Sequence, residues 1–189
     1  MSTETATSQK TVLHAGAGWT SQDRVHWSFK GYKEIRLDVD PRTKPDVVGS
    51  ITDMKQIADG SVDGVYLSHT LEHLFDHEVP VALAEFLRVL TPDSPLVLRV
   101  PDLQQACAAV ADGRPDQPLY RAAAGPITAI DMIFGYRRYV KLVGATMAHR
   151  TGFTRDTLET CLKDAGFVDV RVWPDQFDLW GVGHKPVKA

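Results

Sequence analysis

At 189 residues the chain can bury one full hydrophobic core and is short for two. Hydrophobic residues make up 43% and charged residues 24%, which excludes a fibrous or disordered chain. A net charge of −3 provides no basic stripe for nucleic acid or an anionic membrane, and no apolar run approaches the length of a membrane span.

Residues 1–10 are polar, rich in Ser and Thr, and lack the apolar stretch of a signal peptide; they are expected to be a disordered tail. Residues 11–189 are expected to form one domain. Cys107 and Cys161 are too few for a disulfide scaffold, so reduced thiols and a cytoplasmic location are expected. Residues 11–15 read as a first strand and 34–39 as a second. A weakly patterned crossover helix is expected at 21–29, where Val25, Trp27 and Phe29 alternate rather than recur at helical spacing. A brief strand follows at 46–49, and another at 65–67 ends at Ser68 and His69. Val79, Leu83, Phe86, Leu87 and Leu90 form one face of a helix over 79–90. The run 91–95 breaks it, and 96–100 is a strand apolar except for Arg99, as in a sheet covered on both faces.

A helix is expected at 103–111. The stretch at about 113–152 then departs from regular alternation. With its glycines and tyrosines it reads as a lid-like insertion that walls a substrate pocket. Thr154 opens a last helix with Leu158, Leu162 and Ala165 on one face, stopped by Gly166. Residues 168–173 and 177–182 alternate and read as a hairpin, with Trp173 and Trp180 in its core. Five β-led units in parallel followed by a hairpin predict an α/β, doubly wound, mostly parallel sheet with a C-terminal antiparallel hairpin.

The chemistry centres on His14-Ala15-Gly16-Ala17-Gly18, where a strand ends in glycines. Glycine reaches positive φ at little cost and has no Cβ to block a ligand. About twenty residues on, the second strand ends in Asp38. Strand, glycine turn, crossover, strand and acid is the layout of nucleoside binding at the carboxyl edge of a parallel sheet, where the acid takes the ribose hydroxyls. Asp40 is the alternative acid.

Five segments in this order resemble the class I S-adenosylmethionine-dependent methyltransferases. They are the glycine motif at 13–18, the acidic strand end at 37–41, the adenine segment at 45–53, the fourth-strand motif at 61–74 with its Leu-Glu-His, and the last helix at 153–167 with its Asp-Ala-Gly-Phe ending. The resemblance implies a seven-stranded Rossmann-like sheet and S-adenosyl-L-methionine as cofactor. It implies contacts from His14, Ala15, Gly16, Ala17, Gly18, Asp38, Val39, Ser50, Ile51 and Ser68. Three positions depart from the pattern: His14 replaces an acid, Thr20 a third glycine and Ser50 an acid.

Methyl transfer from a sulfonium is an in-line displacement that the protein serves by alignment and exclusion of water. A base is needed for a hydroxyl acceptor. His69 is the first candidate and His149 the second. The expected acceptor is a small molecule or glycan unit, with no nucleic acid, membrane or metal involved; oligomeric state is left open. Two rival readings fit the same residues. One is a cofactor-binding but inactive methyltransferase-fold interaction protein, motivated by His14 and Thr20. The other is a metal-dependent hydrolase using a histidine row, His69, Glu72, His73 and His77, that a helix would align.

Overall fold

The computed structural model describes residues 9–19 and 25–187. Seven strands form one sheet: β1 (Thr11–Ala15), β2 (Lys33–Asp38), β3 (Val47–Val48), β4 (Val65–Ser68), β5 (Pro95–Pro101), β8 (Val168–Asp175) and β9 (Asp178–His184). Their order is β3-β2-β1-β4-β5-β9-β8. The first five are parallel; β9 runs antiparallel between β5 and β8. The expected parallel sheet with a terminal hairpin is therefore present. Strand order reverses between β1 and β4, and ligands of such sheets bind in the crevice beyond the carboxyl ends of the strands at that reversal.

Alternation along β1 sends Leu13 and Ala15 to one face of the sheet and Val12 and His14 to the other. On the first face helix α1 (Val79–Val89) inserts Leu83 and Phe86, and helix α5 (Arg155–Asp164) inserts Leu158 and Leu162, all fully or almost fully buried. Thr154 starts α5 by accepting a hydrogen bond from the Thr157 amide. Helix α2 (Leu103–Ala111) follows β5 and starts on Asp102, whose carboxylate accepts bonds from the Gln104 and Gln105 amides.

The opposite face carries a smaller cluster of Val12, Phe29, Tyr66 and Val97. The first half of the expected crossover helix lies outside the described residues. Its second half is a 3-10 turn over Trp27–Phe29 that buries Phe29 and leaves Trp27 exposed. The alternating apolar residues there suit one buried ring and not a continuous helical stripe.

The long excursion folds into a hairpin, β6 (Pro118–Ala122) with β7 (Gly125–Thr128), and two short helices, α3 (Ala129–Phe134) and α4 (Arg137–Val143). Ile127 and Met132 bury themselves against Ala106 of α2. The terminal hairpin is longer than its alternation suggests and turns on Gln176 and Phe177 alone. Trp180 packs half-buried beside the smaller cluster, whereas Trp173 stands exposed on the outermost strand, so only one tryptophan joins the core.

Candidate active site

The glycine turn is held from three sides. The amides of Gly16 and Ala17 both donate to the Leu37 carbonyl, joining the ends of β1 and β2. Gly16 has φ +67°, and a Cβ there would lie 2.4 Å from the Thr70 side chain just beyond β4. Gly18, at φ +57°, faces open space, with no atom within 4 Å of a Cβ. Two glycines of one motif thus serve different needs: close approach of two strand ends at the first, and an open side at the second.

Asp38 is buried and faces this turn. Its Oδ2 accepts from the Gly18 amide at 2.7 Å and its Oδ1 from the Asp40 amide at 2.8 Å. Asp40 points elsewhere, chelating the Arg42 guanidinium and capping a 3-10 turn. Of the two acids, Asp38 is the one beside the glycines. A carboxylate has about four acceptor positions, so two remain for ribose hydroxyls. Val39 follows it with 58% of its surface exposed, an apolar face beside the acid. Ser50 is half-buried with its hydroxyl on Thr52 Oγ1, and the Ile51 side chain is in the core, so Ile51 has only its backbone to offer a ligand. The Ser68 hydroxyl accepts from Arg99 Nε at 3.2 Å. The His14 ring is turned to the opposite face, buried, with Nδ1 2.7 Å from Glu34 Oε1 and the Tyr66 ring alongside. Its side chain does not stand in for the acid of the resembled motif. Thr20 lies outside the described residues.

Beyond β4 the chain places its ionisable cluster. His69 adopts φ +53°, a left-handed conformation uncommon for a residue with a Cβ. Its Nδ1 lies 3.4 Å from Glu72 Oε1 and its Nε2 3.6 Å from Asp178 Oδ2. Burial lowers the ring's affinity for a proton, but the Asp178 and Glu72 carboxylates outweigh it and push the pKa up to about 9. Such a ring keeps its proton at neutral pH. That protonation favours a cationic role for His69 over the role of a base.

His149 is nine-tenths buried, and burial, opposed by Glu72, holds its ring below the usual histidine range. Its Nδ1 is 2.8 Å from the Met132 carbonyl. A carbonyl only accepts, so Nδ1 carries the hydrogen and Nε2 the lone pair. His73 repeats the pattern, with Nδ1 3.1 Å from the Ala148 carbonyl and its ring edge-on to His149 at 5.0 Å. Glu72 lies between them, 1% exposed, and neither carboxylate oxygen has a hydrogen bond among the described residues. Burial raises its pKa; the facing rings of His69, His73 and His149 lower it further, so it stays below the usual carboxylate range.

The row His69, His73, His77 of the rival hydrolase reading does not form. Leu71–His73 and Asp76–Glu78 are separate 3-10 turns split by extended residues, and exposed His77 stacks on Phe75 instead. With no continuous helix there is no i, i+4, i+8 face, and the hydrolase reading loses its ligand set.

Three further residues join the site that sequence reasoning does not place there. Asp178 arrives from β9, whose antiparallel run begins opposite Pro101 at the carboxyl edge. Arg99, the lone polar residue of β5, points its Nε at Asp178 Oδ2, 3.5 Å away, and lies over the Trp180 ring. Tyr120 of β6 stacks on Phe177, and burial, with Asp178 nearby, pushes its hydroxyl up to about 12. The lone polar residue in an apolar strand was the available clue for Arg99; Asp178 and Tyr120 depend on long-range pairing. A larger groove, lined by Arg171, Trp173 and His184, lies along the β8–β9 edge, away from this chemistry.

Residues 15–98 match the family described as a methyltransferase domain. Among solved structures, a Methanosarcina mazei S-adenosylmethionine-dependent methyltransferase is 16% identical with a TM-score of 0.61, over 95% of this chain and 94% of that one. A Burkholderia thailandensis 1,6-didemethyltoxoflavin-N1-methyltransferase, solved with S-adenosylhomocysteine and its substrate, is 19% identical with a TM-score of 0.57, over 95% and 72%. A Bordetella parapertussis protein is 15% identical with a TM-score of 0.60; this chain, covered over 95%, spans 63% of its length. At these identities the likeness to solved structures is one of fold. No curated protein matches the sequence. Among the described residues no helix is long and apolar enough to cross a membrane. The domain match over residues 15–98 and the reversal of strand order around the glycine turn agree: the chain carries a methyltransferase domain on a Rossmann-like sheet.

Proposed function

We propose that the chain transfers a methyl group from S-adenosylmethionine to a small-molecule or glycan acceptor that enters between the end of β4 and the segment 113–152. The observation that carries this is the pairing of Asp38 with the open side of Gly18, a short distance along the sheet edge from the His69–Glu72–His149 cluster. The donor set suits the cofactor: two carboxylate positions for a diol, exposed Val39 as an apolar face, and a glycine turn that a side chain would obstruct. When bound, S-adenosylmethionine supplies an activated methyl group.

The chain's own residues do the rest. Gly16, Ala17 and Gly18 set the floor of the crevice, and Asp38 orients the ribose. His69, held by Asp178 and Glu72, presents positive charge and a fixed proton toward the acceptor side. The Nε2 lone pair of His149 is the neutral acceptor for a hydroxyl proton. The excursion, joined to α2 by Ile127 and Met132, excludes water.

Calorimetry with S-adenosylhomocysteine tests the cofactor half. Asp38→Ala is expected to weaken binding by about 2 kcal/mol, roughly 30-fold, through loss of charge-assisted bonds. Unchanged affinity in that variant removes Asp38 from the site. A second reading, cofactor binding without turnover, is favoured by the engagement of His14 with Glu34, which leaves no acidic side chain at the end of β1. A product assay over candidate acceptors separates the two.

A further inference from the structure

We propose that Glu72, His73 and His149 form a binding site for a divalent first-row transition cation. One ligand atom from each can be chosen so that all three lie within 4.8 Å of one another. Bonds of about 2.1 Å around one ion need separations of roughly 3–3.5 Å, so modest side-chain adjustment closes the set.

Four independent features favour a cation over a simple polar cluster. Glu72 is almost fully buried with both oxygens lacking hydrogen bonds. Buried acceptors normally have a donor, and His69, 3.4 Å from Oε1, makes no hydrogen bond to it. Next, both histidines donate Nδ1–H to backbone carbonyls, of Ala148 and Met132, which leaves the lone pair on Nε2, and His149 Nε2 lies 3.9 Å from Glu72 Oε1. That is the outer arrangement metal-binding histidines use to fix tautomer and orientation. Third, the scaffold is tied across the site: the Arg150 and Thr151 amides both donate to the Glu72 carbonyl, and the His149 amide to the Phe134 carbonyl. Last, a cavity of about 10 Å³ lies beside the cluster, lined by Glu72 and His149 with Met132 and Thr151 but not by His73, room for about one water on one side of the ion.

Two neutral imidazoles and one carboxylate select zinc, manganese, iron(II), cobalt or nickel over calcium and magnesium, which favour oxygen ligands. Three ligands leave coordination positions open for an acceptor oxygen, as in catalytic and not structural sites. In that case His149 Nε2 is a ligand. The acceptor hydroxyl would then release its proton to solvent water before methyl transfer, because the cation lowers its pKa, in place of proton transfer to the ring. This role rests on the methyltransferase reading; the binding itself does not.

The full chain, stripped with a chelator, is titrated with cobalt(II) and followed by its visible d–d absorption, with zinc as competitor. One saturable equivalent per chain is expected, displaced by zinc. Glu72→Gln and His149→Gln are each expected to weaken it 10-fold or more, and His77→Gln to leave it unchanged. Absence of saturable binding, or equal affinity in Glu72→Gln and His149→Gln, overturns the site. Should Glu72→Gln not fold, His73→Gln carries the same comparison from a half-buried position. Calorimetry with S-adenosylhomocysteine on the same samples keeps the two ideas apart. Cation binding without cofactor binding removes only the methyltransferase reading, and the reverse removes only the cation.

Discussion

Gly16 and Gly18 share a motif and a positive φ but not an environment, and their substitutions should separate stability from binding. Gly16→Ala places a Cβ 2.4 Å from the Thr70 side chain in a left-handed conformation, a combination expected to cost about 2–4 kcal/mol. Adding Thr70→Ala should return part of that loss, because the clash goes while the φ cost stays; chemical denaturation of the three variants measures it. At Gly18 a Cβ meets no protein atom, so Gly18→Val should lose stability only through the strain of a β-branched residue at φ +57°, and beyond that should weaken S-adenosylhomocysteine binding in calorimetry. Wild-type affinity there would place the cofactor elsewhere. His14 makes a separate prediction. Burial, opposed by its bond to Glu34, lowers its folded-state pKa below the ordinary ~6.5. The unfolded chain therefore binds the proton more readily. His14's neutral form supports the fold fully above about pH 6.5, and stability falls as pH drops below that value. His14→Asn, which can still donate to Glu34, should flatten the stability profile between pH 5 and 7, measured by denaturation at each pH. An unchanged slope would assign the acid sensitivity to other groups.

Among the elements, α3 shows how a short helix outside the sheet is held. Asp131, 5% exposed, accepts bonds from the Thr128 amide and hydroxyl and from the Arg137 amide and Nε. One carboxylate thus starts α3 and fastens it to α4. Asp131→Ala leaves those donors unpaired and is expected to cost about 1–3 kcal/mol. Because α3 supplies the Met132 carbonyl that orients His149, the change should also loosen that ring while leaving cofactor affinity within a few-fold of wild type. Histidine NMR line shapes and calorimetry check the two halves. Loss of cofactor affinity would mean that the excursion belongs to the cofactor site. The element the sequence described least well is the crossover at 21–29. Its one deeply buried ring, Phe29, packs against Gly64, where a Cβ would lie 2.2 Å from it. A single knob against a glycine needs no helical period, so periodicity had little to report.

For the molecule as a whole, the sheet and the excursion should be separable. Helix α2 rises about 14 Å over its nine residues. A linker from its end at Asp112 back to Thr151 needs at least five extended residues. About eight Gly and Ser residues in place of 113–150 are expected to leave a folded protein that binds S-adenosylhomocysteine, because Gly18, Asp38 and Ser68 lie on the sheet. Turnover should be lost with His149 and the wall it stands in; binding and product assays on the one variant decide. What the sequence by itself determined is local and periodic: parallel apolar strands, the amphipathic α1 and α5, the glycine turn, and the acid Asp38 ending the next strand. Each is a pattern of neighbours in the chain, and hydrophobic alternation, capping and glycine chemistry register there directly. What only the tertiary structure decided is which distant groups meet. The row His69, His73, His77 looked aligned but breaks, since two 3-10 turns replace the helix it needed. His149 comes in its place because the Glu72 carbonyl binds the backbone at 150 and 151. Asp178 faces His69 only because β9 runs antiparallel and begins at the edge where β4 ends. Those encounters place two carboxylates beside His69, leave Glu72 without a hydrogen bond among the described residues and gather the donors around it; they follow from strand order and burial, which no short stretch of sequence encodes.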